Sequence, residues 1–556
     1  MSLTRVGVAF LILFTSLTLA GQTPEDADAI VSIDGVVTAL DGGRPISGAR
    51  VSLLKDPGII TRSGTSGVQL PPELMEYFSK STETDETGHF KFTGIDRKAF
   101  GLVVGANGYV RQQLELSDFA GREKHITIRL TATGAISGVV RGNGSRPLAK
   151  VRIHLLRYVY SELGQRMLKS FASTQTNDAG EYRLYFITPG RYSLRAGASL
   201  LRDDAEKVSP AFYPGFEDPR QSTVVEIEPG MDRSGFDFNL KQQQTYKIRG
   251  TLAASTSADT EHKQTTLQLY NIDEGFSTGQ AFDGYLGNAR PSADGSFEFR
   301  DIAPGLYVVS ARAGGESEMK ALVPVRVGNA DVENVTIALA SATVKGRVHV
   351  EGDNMAAEST RWLRFHINPI LEGKPHEDDV DIGASTWNEH TEDSGEFALE
   401  GVLPLDYQFQ AEWVPPGYYV KDARFGQIDV LNHPFHPYGS DNVLEIVFSS
   451  RAGKISGTVV DEKSRAARKA HVILVPDRAR DRTYLYGDNW TDKDGVFSFK
   501  NVAPGDYKLF AFDSNVEDNA WFDPDFIRKF EPTAKAIHVD ESSQQTLQLL
   551  LASGRN

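Results

Sequence analysis

The chain has 556 residues, 59 basic against 74 acidic side chains, a net charge of −15 and no cysteine. At about 100–200 residues per domain this length predicts several folded units rather than one core, and 40% hydrophobic with 24% charged residues is ordinary for globular protein. The acidic balance argues against a nucleic-acid partner. The lack of thiols excludes disulfides, thiolate metal or iron–sulfur centres, thiol nucleophiles and a lipidated cysteine anchor, so any metal must use His, Asp or Glu.

At the N-terminus Arg5 precedes an apolar run, Val6 to Phe14, and then small residues including Thr18 and Ala20. The run is shorter than the about 20 residues of a membrane span. With Thr18 and Ala20 at the −3 and −1 positions it predicts a signal peptide over 1–20, cleaved before Gly21. Residues 21–30 read as a short linker. Nothing later resembles a transmembrane segment, so the mature chain is expected to lack one and to be exported, to the periplasm, cell surface or exterior. Export without cysteine suggests a bacterial protein.

From residue 31 onward one pattern recurs five times, which decides the architecture before any local reading. An opening strand of apolar, any, Gly, any, apolar appears at Ile33-Gly35-Val37, Ile136-Gly138-Val140, Ile248-Gly250-Leu252, Val344-Gly346-Val348 and Ile455-Gly457-Val459, its glycines 103, 112, 96 and 111 residues apart. A turn with Asp shortly before Gly follows in TDETGHFKF from Thr84, NDAGEYRL from Asn177, ADGSFEF from Ala293, EDSGEFAL from Glu392 and DKDGVFSF from Asp492. Asp accepts hydrogen bonds from its own turn while Gly takes the left-handed conformation. The alternating Phe90/Phe92, Tyr182/Leu184, Phe297/Phe299, Phe397/Leu399 and Phe497/Phe499 then predict strands with one buried face.

Next comes a Pro-Gly turn into a tyrosine strand: Pro189-Gly190-Tyr192, Pro304-Gly305-Tyr307, Pro404-Tyr407 and Pro504-Gly505-Tyr507. The first repeat has Ile95 to Val104 here, without Pro or Gly at the turn, and predicts a different corner. Each repeat closes on an apolar alternation, at Ile126, Phe236, Val335, Leu444 and Leu547. Short, regularly spaced strands without a convincing amphipathic helix predict an all-β chain of five tandem β-sandwiches, over 31–131, 132–241, 242–340, 341–450 and 451–556. Closing and opening strands nearly touch in sequence, so the sandwiches are expected to form a semi-rigid row. At ~3.3 Å per strand residue, each would be about 30 Å long and the whole roughly 150 Å.

The succession apolar-x-Gly-x-apolar, Asp-Gly-x-Phe-x-Phe, Pro-Gly-x-Tyr resembles the carboxypeptidase regulatory-like domain over essentially all of 31–551. The resemblance implies prealbumin-like (Ig-like), seven-stranded sandwiches, grouped with starch-binding-like domains of carbohydrate-binding-like fold, in an exported bacterial protein. It does not imply peptidase activity, because the family's name comes from an accessory domain beside a catalytic one that has no room here.

Catalytic motifs are absent: no HExxH, G-x-S-x-G or Walker loop occurs. His538 and Glu541 share the three-residue spacing of a zinc-ligand pair, but no third His follows and residues three apart on a strand face opposite sides. The acidic group His376, Glu377, Asp378, Asp379, Asp381, Glu389 and His390 meets no calcium-loop spacing and reads as solvated loop. Asp492 and Asp494 read as turn residues. No Lys, Asn and acid recur as a trio fit for an intramolecular isopeptide bond. No cofactor or metal is expected.

All five tryptophans, Trp362, Trp387, Trp413, Trp490 and Trp521, fall in the last two repeats. In the run from Arg361 to Ile367, Leu363, Phe365 and Ile367 form the core set, which turns Trp362 outward with Arg364 and His366; an outward indole can stack on a sugar ring. Tyr213, Tyr418 and Trp521 lie in further aromatic loop clusters and, with Trp490, complete the candidate ligand-binding set, although such aromatics also cap cores and fill junctions. The expectation is a non-catalytic binding or surface-interaction module, with a polysaccharide or a cell-surface protein as partner and carbohydrate as the ligand class. The alternatives are a structural spacer or adhesion stalk and, more remotely, a hydrolase with a cryptic carboxylate site.

Overall fold

The computed structural model describes residues 32–552 except 55–77, 96–100, 117–122, 161–163, 165, 198–207, 254–264, 273–275, 278–284, 314–318, 353–362, 372–373, 376–385, 388–390, 393, 479 and 514–515. The expected signal peptide and linker, the corner of the first repeat, the acidic group from His376 to His390 and Trp362 lie outside the described residues.

The chain is an all-β protein of tandem β-sandwiches. Each repeat opens on the strand that carries its signature glycine: Ser32–Ala39, Gly134–Arg141, Tyr246–Leu252, Ala342–Glu351 and Gly453–Val460. Its period-two pattern buries alternate residues, as in Ile33 and Val37. The Gly-x-aromatic strand, for example His89–Thr93 or Val496–Val502, pairs antiparallel on one side. The closing strand, for example Glu123–Leu130 or Gln544–Leu550, pairs parallel on the other.

In the first, third and fifth repeats this three-stranded sheet faces one of four strands, seven in all. Five apolar clusters, one for each repeat, fill the space between the sheets, and each fully buried aromatic such as Phe90, Phe238 or Phe497 contributes about 2–3 kcal/mol of transfer free energy. The fourth repeat differs. Its strand Tyr419–Phe425 leaves the second sheet and pairs antiparallel with the closing strand Leu444–Ser449, making the first sheet five-stranded.

The expected row is corrected by the packing. Residues up to Gly134 form one compact unit and those from Ala135 onward another, so four repeats share a single body. The reason is visible on the outer faces of the second sheets, which carry apolar residues where a free-standing sandwich would carry polar ones. Tyr270, Val308 and Leu322 of the third repeat bury against Leu371 and Leu403 of the fourth. Leu168 of the second repeat pairs in parallel with Phe276 of the third, and Asn519 of the fifth donates to the Tyr160 carbonyl of the second at 3.0 Å.

The set Leu363, Phe365 and Ile367 is fully buried as its alternation requires. His366, expected to face outward, is only 6% exposed, and its strand neighbour Asn368 is also buried. The outer face of that strand is therefore covered at His366 and Asn368.

Candidate functional site

Two kinds of polar side chain that recur from repeat to repeat are tied to their own repeat's backbone. The corner tyrosines donate their hydroxyls back four residues, Tyr192 to Thr188 O (2.8 Å), Tyr307 to Ala303 O (2.9 Å) and Tyr507 to Ala503 O (2.8 Å). In the fourth repeat, where Leu405 replaces the glycine, the bond is reversed and the Leu403 N–H donates to the Tyr407 hydroxyl at 2.9 Å. Burial pushes the pKa of the Tyr407 hydroxyl up to about 12 and raises that of Tyr507 as well.

A threonine just before the polar turn makes a second recurring tie. Thr84 accepts from Ala49 N–H and donates to Ile46 O; Thr176 does the same for Val151 and Leu148, and Thr491 for Ala470 and Ala467, all at 2.6–2.9 Å. Sequence reading passed over these threonines, although their place beside Asp85, Asn177 and Asp492 was a usable signal. The turns behave as expected: Asp492 Oδ1 accepts from the N–H groups of Asp494 and Val496. At Asp85, bonds from the Thr87 hydroxyl and the His89 N–H hold the carboxyl below its usual range.

The expected ligand residues are dispersed. Trp490 lies on Gly487–Trp490, an edge strand of the fifth repeat's four-stranded sheet, directly opposite His471. Its indole stacks on the imidazole with centroids 4.3 Å apart and planes 5° from parallel, and the residue stays 44% exposed. His471 is buried; the Val516 N–H donates to its Nδ1 at 3.2 Å, which leaves the proton on Nε2, 3.3 Å from Asp488 Oδ2. Trp521 meets the same imidazole edge-on at 5.3 Å and is half-buried against the apolar cluster of Ile473, Phe510 and Ile527.

The structure therefore brings Trp490 and Trp521 together around His471 and Asp488, neither of which the sequence reading singled out. The signal was a polar residue opening the otherwise apolar run His471–Pro476.

Tyr213 is elsewhere, packed against Phe236 and Phe238 of the second repeat's core with centroids 5.5 and 5.8 Å away. Tyr418 is half-buried in the turn from Pro415, beside Gly417, whose N–H donates to Asn501 Oδ1 of the next repeat at 2.8 Å.

The zinc-like pair is divided between different partners. His538 binds Asp506 at 2.7 Å, which raises its pKa, and Glu541 takes the Tyr419 hydroxyl and the Arg451 guanidinium at 3.1 Å each. Among the described residues no group of three or more His, Cys, Asp or Glu could hold a metal ion, and no helix is long and apolar enough to cross a membrane. No lysine is among the buried polar residues described.

No protein-family model matches the chain, and no curated protein matches it. The resemblance to the carboxypeptidase regulatory-like domain thus rests on the motifs themselves. Among solved structures the chain is similar to the Bacillus anthracis TIE protein, at 12% identity over 81% of this chain and 71% of that one with a TM-score of 0.16. It is similar also to a minor pilin of Streptococcus agalactiae, at 14% identity over 38% and 97% with a TM-score of 0.23. A third is a pair of B repeat units of the collagen binding protein of Staphylococcus aureus, at 10% identity over 76% and 99% with a TM-score of 0.14. At these scores the likeness adds nothing to the all-β architecture read directly from the sheets.

Proposed function

We propose that this is an exported, non-catalytic scaffold and surface-interaction protein, built from five sandwiches over 31–131, 132–241, 242–340, 341–450 and 451–556. The observation that carries the reading is the use of the recurring buried polar groups. The corner tyrosines and turn threonines are hydrogen-bonded to their own backbone, so these positions build the fold rather than a reaction site. Limited proteolysis tests the partition: resistant fragments should begin and end at the proposed boundaries, and cleavage confined to the middle of the repeats would refute it. Hydrolysis of a peptide or glycoside by the purified chain, removed by a chelator, would refute the non-catalytic reading.

One observation supports a second, finer reading, in which the chain binds carbohydrate. The Trp490 indole has one face fixed on a buried imidazole and remains half-exposed beside the Asp488 carboxylate, a suitable platform for the apolar face of a sugar with a hydroxyl acceptor alongside. Retardation in polysaccharide-containing gels that disappears with Trp490→Ala or Trp362→Ala supports this. Equal mobility of wild type and variants in starch, β-glucan and xylan gels refutes it while leaving the scaffold reading intact.

A further inference from the structure

The outer face of the fifth repeat's three-stranded sheet carries no charge at its centre. On the opening strand Gly453–Val460 the outward residues after Lys454 are Ser456, Thr458 and Val460. Ser456 lies opposite Ser498 and Thr546, Thr458 opposite Val496 and Gln548, and Val460 opposite Leu550. Val496 and Leu550 are 41% and 50% exposed, Thr546 and Gln548 are exposed, and the other four are half-buried. The Ser456 and Thr546 hydroxyls stand 3.2 Å apart, a contact in which either can donate.

The matching positions of the other repeats are charged. Where the fifth repeat pairs Ser456 with Ser498, the first pairs Asp34 with Lys91 and the third Arg249 with Glu298. Where it pairs Thr458 with Val496, the fourth pairs Arg347 with Glu396. Arg249 reaches Glu298 at 2.6 Å and Arg347 reaches Glu396 at 2.7 Å, while in the second repeat Arg183 reaches Asp232 across the same sheet at 2.6 Å. Ion pairs of this kind suit a face that stays in water.

Where this chain leaves charge off the outer face of a sheet, a second sandwich covers it, as Tyr270, Val308 and Leu322 of the third repeat are covered by Leu371 and Leu403 of the fourth. The face around Ser456 has the same lack of charge, and Val496 and Leu550 on it stay open. Its chemistry is also self-complementary. A hydroxyl both donates and accepts, as does the Gln548 amide, so two identical faces meeting about a two-fold axis satisfy each other without a differently built partner.

Charge favours the same end of the chain. Residues 451–556 carry 16 basic and 16 acidic side chains, whereas 341–450 carry 7 and 19. Two copies of this acidic chain therefore approach at the fifth repeat without the long-range repulsion they meet at the fourth.

We propose that the face centred on Ser456 and Thr458 is where a second copy of the chain docks, sheet on sheet about a two-fold axis. Strand spacing and rise give it a footprint of about 300 Å², below the about 800 Å² per partner of a standard stable interface. The pairing is therefore weak and reversible.

Sedimentation equilibrium of the full chain tests it. The average mass should climb from the monomer's toward twice that value between about 5 and about 300 μM. Because no charge lies at the centre of the contact, the climb should persist when salt is raised from about 0.05 to about 0.5 M. Two variants borrow the chain's own alternatives: Ser456→Arg/Ser498→Glu installs the third repeat's pair, and Thr458→Arg/Val496→Glu installs the fourth's. Both should keep the wild-type circular dichroism and urea midpoint and stay monomeric throughout.

A wild-type mass that never rises overturns the proposal. So does a rise that salt abolishes, or one that folded variants share, since the copies then meet elsewhere. A chain that stays monomeric, and whose retardation in polysaccharide gels is lost in either variant, assigns the face to a glycan and likewise overturns it.

Discussion

Phe397 lies across the sheet from Gly346, with its ring occupying the space a side chain at that glycine would need; a Cβ there would fall 1.9 Å from the ring's Cζ. The same pairing joins Gly35 to Phe90, Gly250 to Phe297 and Gly457 to Phe497. The glycine of the opening strand and the aromatic after the polar turn are therefore two halves of one contact, in which the ring covers bare backbone.

Replacing such a glycine has no inexpensive solution, since at Gly457 a Cβ would also meet the Leu547 carbonyl at 2.0 Å. Gly457→Ala should destabilise the fifth repeat by about 3 kcal/mol, at the upper end of overpacking costs. Gly42→Ala, with nothing within 4 Å but φ at +70°, should cost about 1 kcal/mol through strain alone. Urea unfolding of the two variants measures the difference, and equal costs would contradict the close-approach account.

The corner tyrosines give a contrast between donor and acceptor. Tyr507→Phe removes a donor from the Ala503 carbonyl, while Tyr407→Phe leaves the buried Leu403 N–H without its acceptor. The first should cost about 1 kcal/mol and the second about 2–3 kcal/mol, because an orphaned buried donor retains its desolvation penalty. Thermal or urea unfolding ranks the two.

Thr491→Val keeps the shape of the side chain and removes both its bonds, to Ala470 N–H and Ala467 O. A loss of about 2 kcal/mol is expected, with Thr491→Ser recovering most of it. Faster amide hydrogen exchange at Ala470 in the valine variant alone would locate the effect.

His154 supplies a pH dependence. Burial, with Arg195 and Arg152 nearby, lowers its pKa from 6.5 to about 3. The unfolded chain therefore binds a proton that the folded chain refuses between those values, so stability is full above about pH 6.5 and falls as the pH drops toward 3, with a slope of up to about 1.4 kcal/mol per pH unit. His154→Gln should flatten that part of the curve. An unchanged slope in urea titrations from pH 7 to 4 would show that His154 is not the group responsible.

Strand positions were legible because period-two alternation and the polar-turn-Gly signature report local backbone geometry, and residues such as Ile33, Phe90 and Leu509 are buried where that alternation puts them. What alternation cannot say is whether a sheet's other face meets water. His366 and Val308 occupy outward positions and are nonetheless buried; apolar Val308 was a readable hint, whereas His366 gave none. The transfer of Tyr419–Phe425 to the other sheet was likewise hidden, since the strand keeps the same pattern in either sheet. At the candidate site Trp490 was identifiable by type, but its fixed orientation depends on His471, which reaches it only through strand pairing.

The parallel pairing of opening and closing strands has a mechanical consequence. Ser32–Ala39 and Glu123–Leu130 run side by side in the same direction over eight residue pairs, and Lys454–Val460 matches Gln544–Leu550 over seven. A pull on the two termini of such a repeat drags these strands along one another, straining the whole ladder at once rather than peeling it rung by rung. Under tension along those termini such a repeat is expected to give way abruptly, all of its rungs failing together.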